Sequence, residues 1–421
     1  MTKGNFLFVG FFLLALLTDY IFLDFVPNEV KVYHFLVKLL PFIAFALALY
    51  YLNSMSSGFR IMFFILLLYF FILSLESYYY YQSFFRYPHV FSKITNLFLF
   101  FGFYAFFKAN YKFNASTIFY ITCVAFFIGA LLFRRELFTI SAFLGHQRAY
   151  KSTSAFLMLL PYLYFFNKYI TERSRTFLFL FVSTFLIIIF LQHRSVWIAM
   201  LIATIFNFLL LKIKLKRRFT IKTYFPDLFL FGLFGLLFSL VIFTYKPEIL
   251  DKLSNEVYEI QHATTEGTGA WRVEQAISYW PYIQEHILFG MRFEGFELPV
   301  QFYVSDSDQT RFSDNSGHHF HSLYVDLSFY FGVIGLFILL APLVFYIVHA
   351  IKKSQLSEVE YCLISFAFSG LVYGISYNLP TFYFCFAGLG LSLMESAKRK
   401  HHPSTPQLPH KSRNSISYHH L

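Results

Sequence analysis

The stretch LYVDLSFYFGVIGLFILLAPLVFYIVH, Leu323 to His349, carries a single acidic or basic side chain, Asp326, before its closing histidine. As a helix rising 1.5 Å per residue it would extend roughly 40 Å, more than the ~30 Å of hydrocarbon in a bilayer. Lipid offers no hydrogen bonds to a bare backbone, so a run this long and this apolar reads as a membrane-crossing helix.

Blocks of the same character recur on both sides of it. They lie near Asn5 to Leu23, His34 to Leu52, Arg60 to Glu76, Ile94 to Phe107, Ser116 to Phe133 and Ser154 to Tyr169. They continue near Thr176 to Leu191, Ser195 to Leu211, Pro226 to Tyr245, Glu360 to Ile375 and Pro380 to Met394. The expected fold class is therefore all-α integral membrane, with about twelve transmembrane helices. Composition agrees: 57% of residues are hydrophobic and 14% charged, against about a quarter charged in soluble domains. The mean hydropathy of +0.56 excludes a predominantly water-soluble chain. The first block follows Lys3 and has no small-residue cleavage site before Asp19, so it reads as a retained span. Cys123, Cys362 and Cys385 are scattered through apolar blocks and read as small hydrophobes, with no disulfide framework.

The net charge of +11 is not a nucleic-acid patch, because the basic residues sit in alternate short connections. Lys108 and Lys112, Arg173 and Arg175, the cluster from Lys212 to Lys222, and Lys352 and Lys353 fall on one side, joined by Lys398, Arg399 and Lys400. The positive-inside rule makes that side, and both termini, cytoplasmic. One long acidic segment then lies outside, between the ninth and tenth spans. The expected organisation is a transmembrane bundle over 1–245, an extracytoplasmic loop with short helices over 246–320, spans ten to twelve over 321–396, and a disordered basic cytoplasmic tail over 397–421. No internal repeat of the kind common in transporters is visible.

Several residues on the outer side break the charge rule. Arg194 sits in the tight turn Gln192-His193-Arg194-Ser195, and Arg134, Arg135, Arg148 and Lys151 share another outer connection. Snorkelling to headgroups is the ordinary explanation for such charges. Arg272 heads a helical stretch that ends at His286-Ile287-Leu288-Phe289-Gly290. Converging arginines suit a phosphate group, because the guanidinium forks onto its oxygens and never loses its charge. The run Gly317-His318-His319-Phe320-His321-Ser322 is the densest feature, with His321 expected to open the tenth span and Gly332 to fall on the same helical face. That glycine is expected to allow close helix approach. The histidines and Asp314 match no zinc spacing, so no metal site is assigned.

These residues resemble the O-antigen ligase and O-antigen polymerase superfamily of bacterial envelope glycosyltransferases. His321-Ser322-Leu323-Tyr324-Val325 running to Gly332-Val333-Ile334-Gly335 looks like the family's His-Asn/Ser element followed by Gly-x-x-Gly. Arg194-Ser195-Val196-Trp197 looks like its Arg-Gly element, and Arg272 through Gly290 like its loop helix. The chain departs from the pattern where the family's proline is His286 and its second glycine is Arg292.

The resemblance implies a GT-C-like fold with one large extracytoplasmic loop, in the bacterial inner membrane, with the active site facing the periplasm. It implies a glycan donor on undecaprenyl pyrophosphate and transfer to lipid A core or a related glycan acceptor, without cofactor or metal. His321 is then the expected general base, with Arg272 and Arg194 stabilising the leaving pyrophosphate. Arg148, Arg292 and Lys151 are expected substrate contacts. A polymerase that extends another lipid-linked repeat, and a glycolipid flippase that makes no bond, are the alternatives. A flippase predicts ionisable residues at mid-span, whereas Lys38, Asp19 and Asp326 lie mostly near span ends.

Overall fold

The computed structural model describes residues 31–110, 113–133, 151–214, 248–262, 267–298 and 320–396, with a few single positions besides. The expected first and ninth spans, Arg134, Arg135, Arg148, His318, His319 and the basic tail lie outside the described residues. Among the described residues the secondary structure is helical, with no strand. The helices are α1 (Lys31–Tyr50), α2 (Ser57–Tyr81), α3 (Pro88–Ala109), α4 (Thr117–Phe133), α5 (Ser152–Leu157), α6 (Leu159–Glu172) and α7 (Arg175–Phe190). They continue as α8 (Arg194–Lys214), α9 (Glu248–Gln261), α10 (Gly267–Glu285), α11 (Glu294–Glu297), α12 (Leu323–Lys352), α13 (Glu358–Tyr373) and α14 (Thr381–Ser396). Of these, α2, α3, α8 and α12 are long and apolar enough to cross a membrane. The apolar block from Ser154 to Tyr169 is divided at Met158 into α5 and α6.

Helix α3 forms the centre of one half of the molecule, with every side chain from Leu97 to Phe107 buried. Small residues let its neighbours approach backbone to backbone. A Cβ on Gly388 of α14 would sit 2.3 Å from the Phe100 carbonyl oxygen, and one on Gly102 would sit 2.3 Å from that of Ala44 in α1. Apolar side chains gain little by leaving lipid for protein, so such close packing and interhelical hydrogen bonds hold membrane helices together. The second half uses the bonds: Asn207 of α8 donates to Asn167 Oδ1 of α6 at 2.6 Å, and Ser365 of α13 donates to Asn207 Oδ1 at 3.0 Å.

These pairings fix which helix ends lie together. Phe206 stacks on Phe368 at 4.1 Å, Asn207 meets Ser365, and Lys214 Nζ donates to the Ile351 carbonyl just ahead of α13 at 2.5 Å. Helices α8 and α13 are therefore antiparallel, and Arg194 lies at the level of the end of α13. Lys108 pairs with Glu395, and Lys353 pairs with Glu360 at 2.6 Å and with the Met394 carbonyl at 3.0 Å. Lys108, Lys214 and Lys353 thus collect at the end of the bundle opposite Arg194.

Helix α12 departs most from expectation. Sequence reasoning makes Leu323 to His349 one continuous helix with His321 and Gly332 on a common face. Instead Ser322 is the N-cap, His321 precedes the helix, and Gly332 breaks it with φ 63° and ψ −168°. The short arm Leu323–Phe331 and the longer helix after Gly332 are separate pieces. In an unbroken helix the Val333 and Ile334 amides would donate to the Phe329 and Tyr330 carbonyls. Here the turn after α10 inserts between them and satisfies all four groups. Val333 and Ile334 donate to Ile287 and Leu288 at 2.8 and 3.1 Å, while Met291 and Arg292 donate to Phe329 and Tyr330 at 2.8 and 2.9 Å. Irregular backbone at membrane depth is tolerated where protein supplies its hydrogen bonds in this way.

Two glycines make the insertion possible. A Cβ on Gly332 would lie 2.5 Å from the Leu288 carbonyl, and one on Gly290, at φ 70°, would lie 2.4 Å from the Phe331 nitrogen. The expected role of Gly332 in helix approach is corrected accordingly: what comes close is the backbone of the inserted turn. Arg292 takes a left-handed φ of 47° at the next bend.

Candidate functional site

The short arm of α12 is tied down on both sides. The Leu323 amide donates to the Gly374 carbonyl at 2.8 Å, Tyr324 Oη donates to the Leu371 carbonyl at 2.6 Å, and Asn378 Nδ2 donates to the Phe320 carbonyl at 3.1 Å. On the other side Lys93 of α3 pairs with Asp326 and lies 4.8 Å over the ring of Tyr330. Asp326 is 1% exposed, so its charge depends on that lysine. A cavity of about 140 Å³ lies beside the arm, with Lys93, Asp326 and Asn378 on its polar side and Leu97, Leu327 and Leu343 among its apolar lining.

Anchoring at residues 320–326 holds His321 in place at the bundle end. Its imidazole packs edge-on against Tyr377, with ring centroids 6.2 Å apart at 83°. Helix α10 brings Arg272 to the same ring. Gln275, Tyr279 and Ile283 form its buried stripe, and Tyr279 packs on Phe320 and Phe329 at 5.0 and 5.6 Å. Arg272 lies one turn before Gln275 on that stripe. Its guanidinium carbon sits 4.7 Å over the Tyr377 ring. Arg272 Nε is buried without a hydrogen-bond partner. Arg272 and His321, far apart in sequence, thus meet on one tyrosine.

Arg194 opens α8 at this same end of the bundle. The turn before it is closed by Gln192 at φ 56°, by the Trp197 indole donating to the Ile188 carbonyl at 3.1 Å, and by His193, which is 6% exposed. A cation in the first turn of a helix opposes the macrodipole by about 0.3 to 1 kcal/mol, and an anion there would reverse the sign. Lys151 is exposed ahead of α5. Its neighbour Ser152 is hydrogen-bonded to Tyr373 Oη at 2.9 Å, and Tyr373 stacks on Tyr377 at 5.1 Å.

Arg292 goes elsewhere. It pairs with Glu76 of α2 at 3.0 Å, on the face of the short arm turned towards α2. Nearby, Tyr87 donates to Glu297 at 2.5 Å, and burial, helped by that hydrogen bond, pushes the Tyr87 phenol above its ordinary pKa.

Tyr377 and Asn378 were not among the residues singled out from sequence. The available signal was position: Tyr377-Asn378-Leu379-Pro380 is a short connection between two apolar blocks on the same side as His321.

A comparison with curated proteins gives no match. Residues 177–340 match a family model described as O-antigen ligase, a stretch that runs from α7 through the break in α12 and includes Arg194, Arg272, Arg292 and His321. Over that stretch the chain is similar to the O-antigen ligase and O-antigen polymerase superfamily.

Proposed function

We propose that the protein is an O-antigen ligase-type glycosyltransferase, moving a glycan from undecaprenyl pyrophosphate to lipid A core or a similar acceptor at the outer leaflet of the bacterial inner membrane. The observation that carries this reading is the meeting of the Arg272 guanidinium and the His321 imidazole on the Tyr377 ring. It pairs a permanent cation with a group able to take a proton near neutral pH. His321 removes the proton of an acceptor sugar hydroxyl as its oxygen attacks the anomeric carbon of the donor. The bond from that carbon to the pyrophosphate oxygen breaks, and Arg272 and Arg194 neutralise the charge that develops there. Lys151 and Arg148 guide the anionic donor. Arg292, held by Glu76, sets the inserted turn and lies at the margin of the donor path.

The gathering of Lys108, Lys214 and Lys353 at the opposite end supports a cytoplasmic placement of that end, with the site facing the periplasm. About twelve spans with a long loop over the site complete the arrangement.

The test is a strain in which His321→Ala replaces the wild-type chain. The expected result is protein retained in the membrane, accumulated lipid-linked glycan and lipid A core bearing no polymer. Core bearing a single repeat in the deletion strain would identify a polymerase instead, and normal surface glycan in the variant would end the reading.

A further inference from the structure

Two arginines beside the short arm are held in opposite ways. Arg292 is neutralised by the Glu76 carboxylate at 3.0 Å. Arg272 rests over an aromatic face, its guanidinium carbon 4.7 Å from the Tyr377 centroid, and among the described residues no carboxylate pairs with it. The two modes differ chemically. A carboxylate cancels the cation and occupies its in-plane N–H donors, whereas a ring face attracts the cation from above and leaves those donors pointing outward.

The ring itself is packed into the bundle. Tyr377 stacks on Tyr373 at 5.1 Å and 20°, and Tyr373 stacks on Phe156 at 4.3 Å. Tyr373 is fully buried and hydrogen-bonded to Ser152 at 2.9 Å. The stack therefore runs from the bundle core to the site, and its last ring also meets His321 edge-on.

We propose that Tyr377 is a positioning residue: its ring face holds the Arg272 guanidinium in place with its donors free for a diphosphate, and its T-shaped contact fixes the imidazole of His321 alongside. This rests on the diphosphate donor proposed above. The ring does this work, so phenylalanine serves at position 377 and an aliphatic residue does not.

The test measures binding of inorganic pyrophosphate to the purified full-length protein in detergent, for the wild type, Tyr377→Phe, Tyr377→Leu, Arg272→Met and the Tyr377→Leu/Arg272→Met double variant. Elution profiles and melting curves verify that each variant is folded, and Tyr377→Met replaces Tyr377→Leu if the latter is not. The expected result is wild-type affinity within about twofold for Tyr377→Phe and about tenfold weaker binding for Tyr377→Leu, the scale of a partly desolvated cation–π contact. The double variant is expected to bind no more weakly than Arg272→Met alone, because the ring acts through the cation that Met removes. Wild-type affinity in Tyr377→Leu, or losses in the double variant that multiply, would overturn the proposal while leaving the diphosphate reading intact. Failure of the wild-type protein to bind pyrophosphate would overturn both.

Discussion

Replacing Gly332 with alanine should uncouple the two pieces of α12 from the turn that holds them. An alanine at φ 63°, ψ −168° occupies a region open essentially to glycine alone, at about 1 to 3 kcal/mol. Its Cβ would also lie 2.5 Å from the Leu288 carbonyl and 2.6 Å from the Gly290 nitrogen, so the inserted turn must withdraw. Withdrawal breaks the four hydrogen bonds of 2.8 to 3.1 Å that join residues 287–292 to residues 329–334. If α12 straightens, two of them are replaced by ordinary helical bonds. The net loss of two, at about 1 kcal/mol each, adds to the strain it relieves only in part. The expected destabilisation is about 2 to 5 kcal/mol. Reversible denaturant unfolding in mixed micelles measures it, with Gly58→Ala as control, since a Cβ at Gly58 meets nothing within 4 Å. Glycan transfer should fall as well, because α10 carries Arg272 and ends in the displaced turn. Stability within 1 kcal/mol of wild type together with full transfer would refute the insertion as the element that holds the site.

The buried pair Lys93–Asp326 should behave as a unit. Lys93→Met or Asp326→Asn alone leaves one group in a pocket where the two side chains are 8% and 2% exposed, at a cost of about 3 to 5 kcal/mol, while Lys93→Met/Asp326→Leu recovers much of it. A double-mutant cycle by the same unfolding assay checks this, and strictly additive losses would show that the pair is not coupled. Arg272→Lys keeps the charge but loses the planar fork that lies on the Tyr377 ring. Transfer is expected to fall about 10- to 100-fold with unchanged stability, and a near-normal rate in a reconstituted assay would count against a bidentate role.

Much of the helix pattern was legible because membrane helices declare themselves by length and apolarity. The blocks from Arg60 to Glu76, Ser195 to Leu211 and Glu360 to Ile375 lie within or nearly coincide with α2, α8 and α13. Gly332 was legible as special but not as a break. Its neighbours are uniformly apolar, and the partner that explains it, Gly290, belongs to a distant turn whose docking no local periodicity reveals. Arg272 and His321 stood out because an arginine heading a helical stretch and a run of histidines ahead of an apolar block are conspicuous in the sequence itself. Tyr377 did not, since one tyrosine among 31 carries no compositional signal. Arg292 was read as a substrate contact, and the Glu76 that pairs with it lies on another helix, where local sequence gives no sign of it.

The most direct measurement is glycan transfer by purified protein in liposomes that contain undecaprenyl-pyrophosphate-linked glycan and lipid A core, with product and released undecaprenyl pyrophosphate both quantified. The wild-type chain is expected to form the glycosidic product and release one carrier for each transfer. His321→Ala and Arg272→Ala are expected to lose at least about a hundredfold in rate while remaining folded. Movement of the donor across the bilayer with no new glycosidic bond, or undiminished transfer by His321→Ala, would contradict the account.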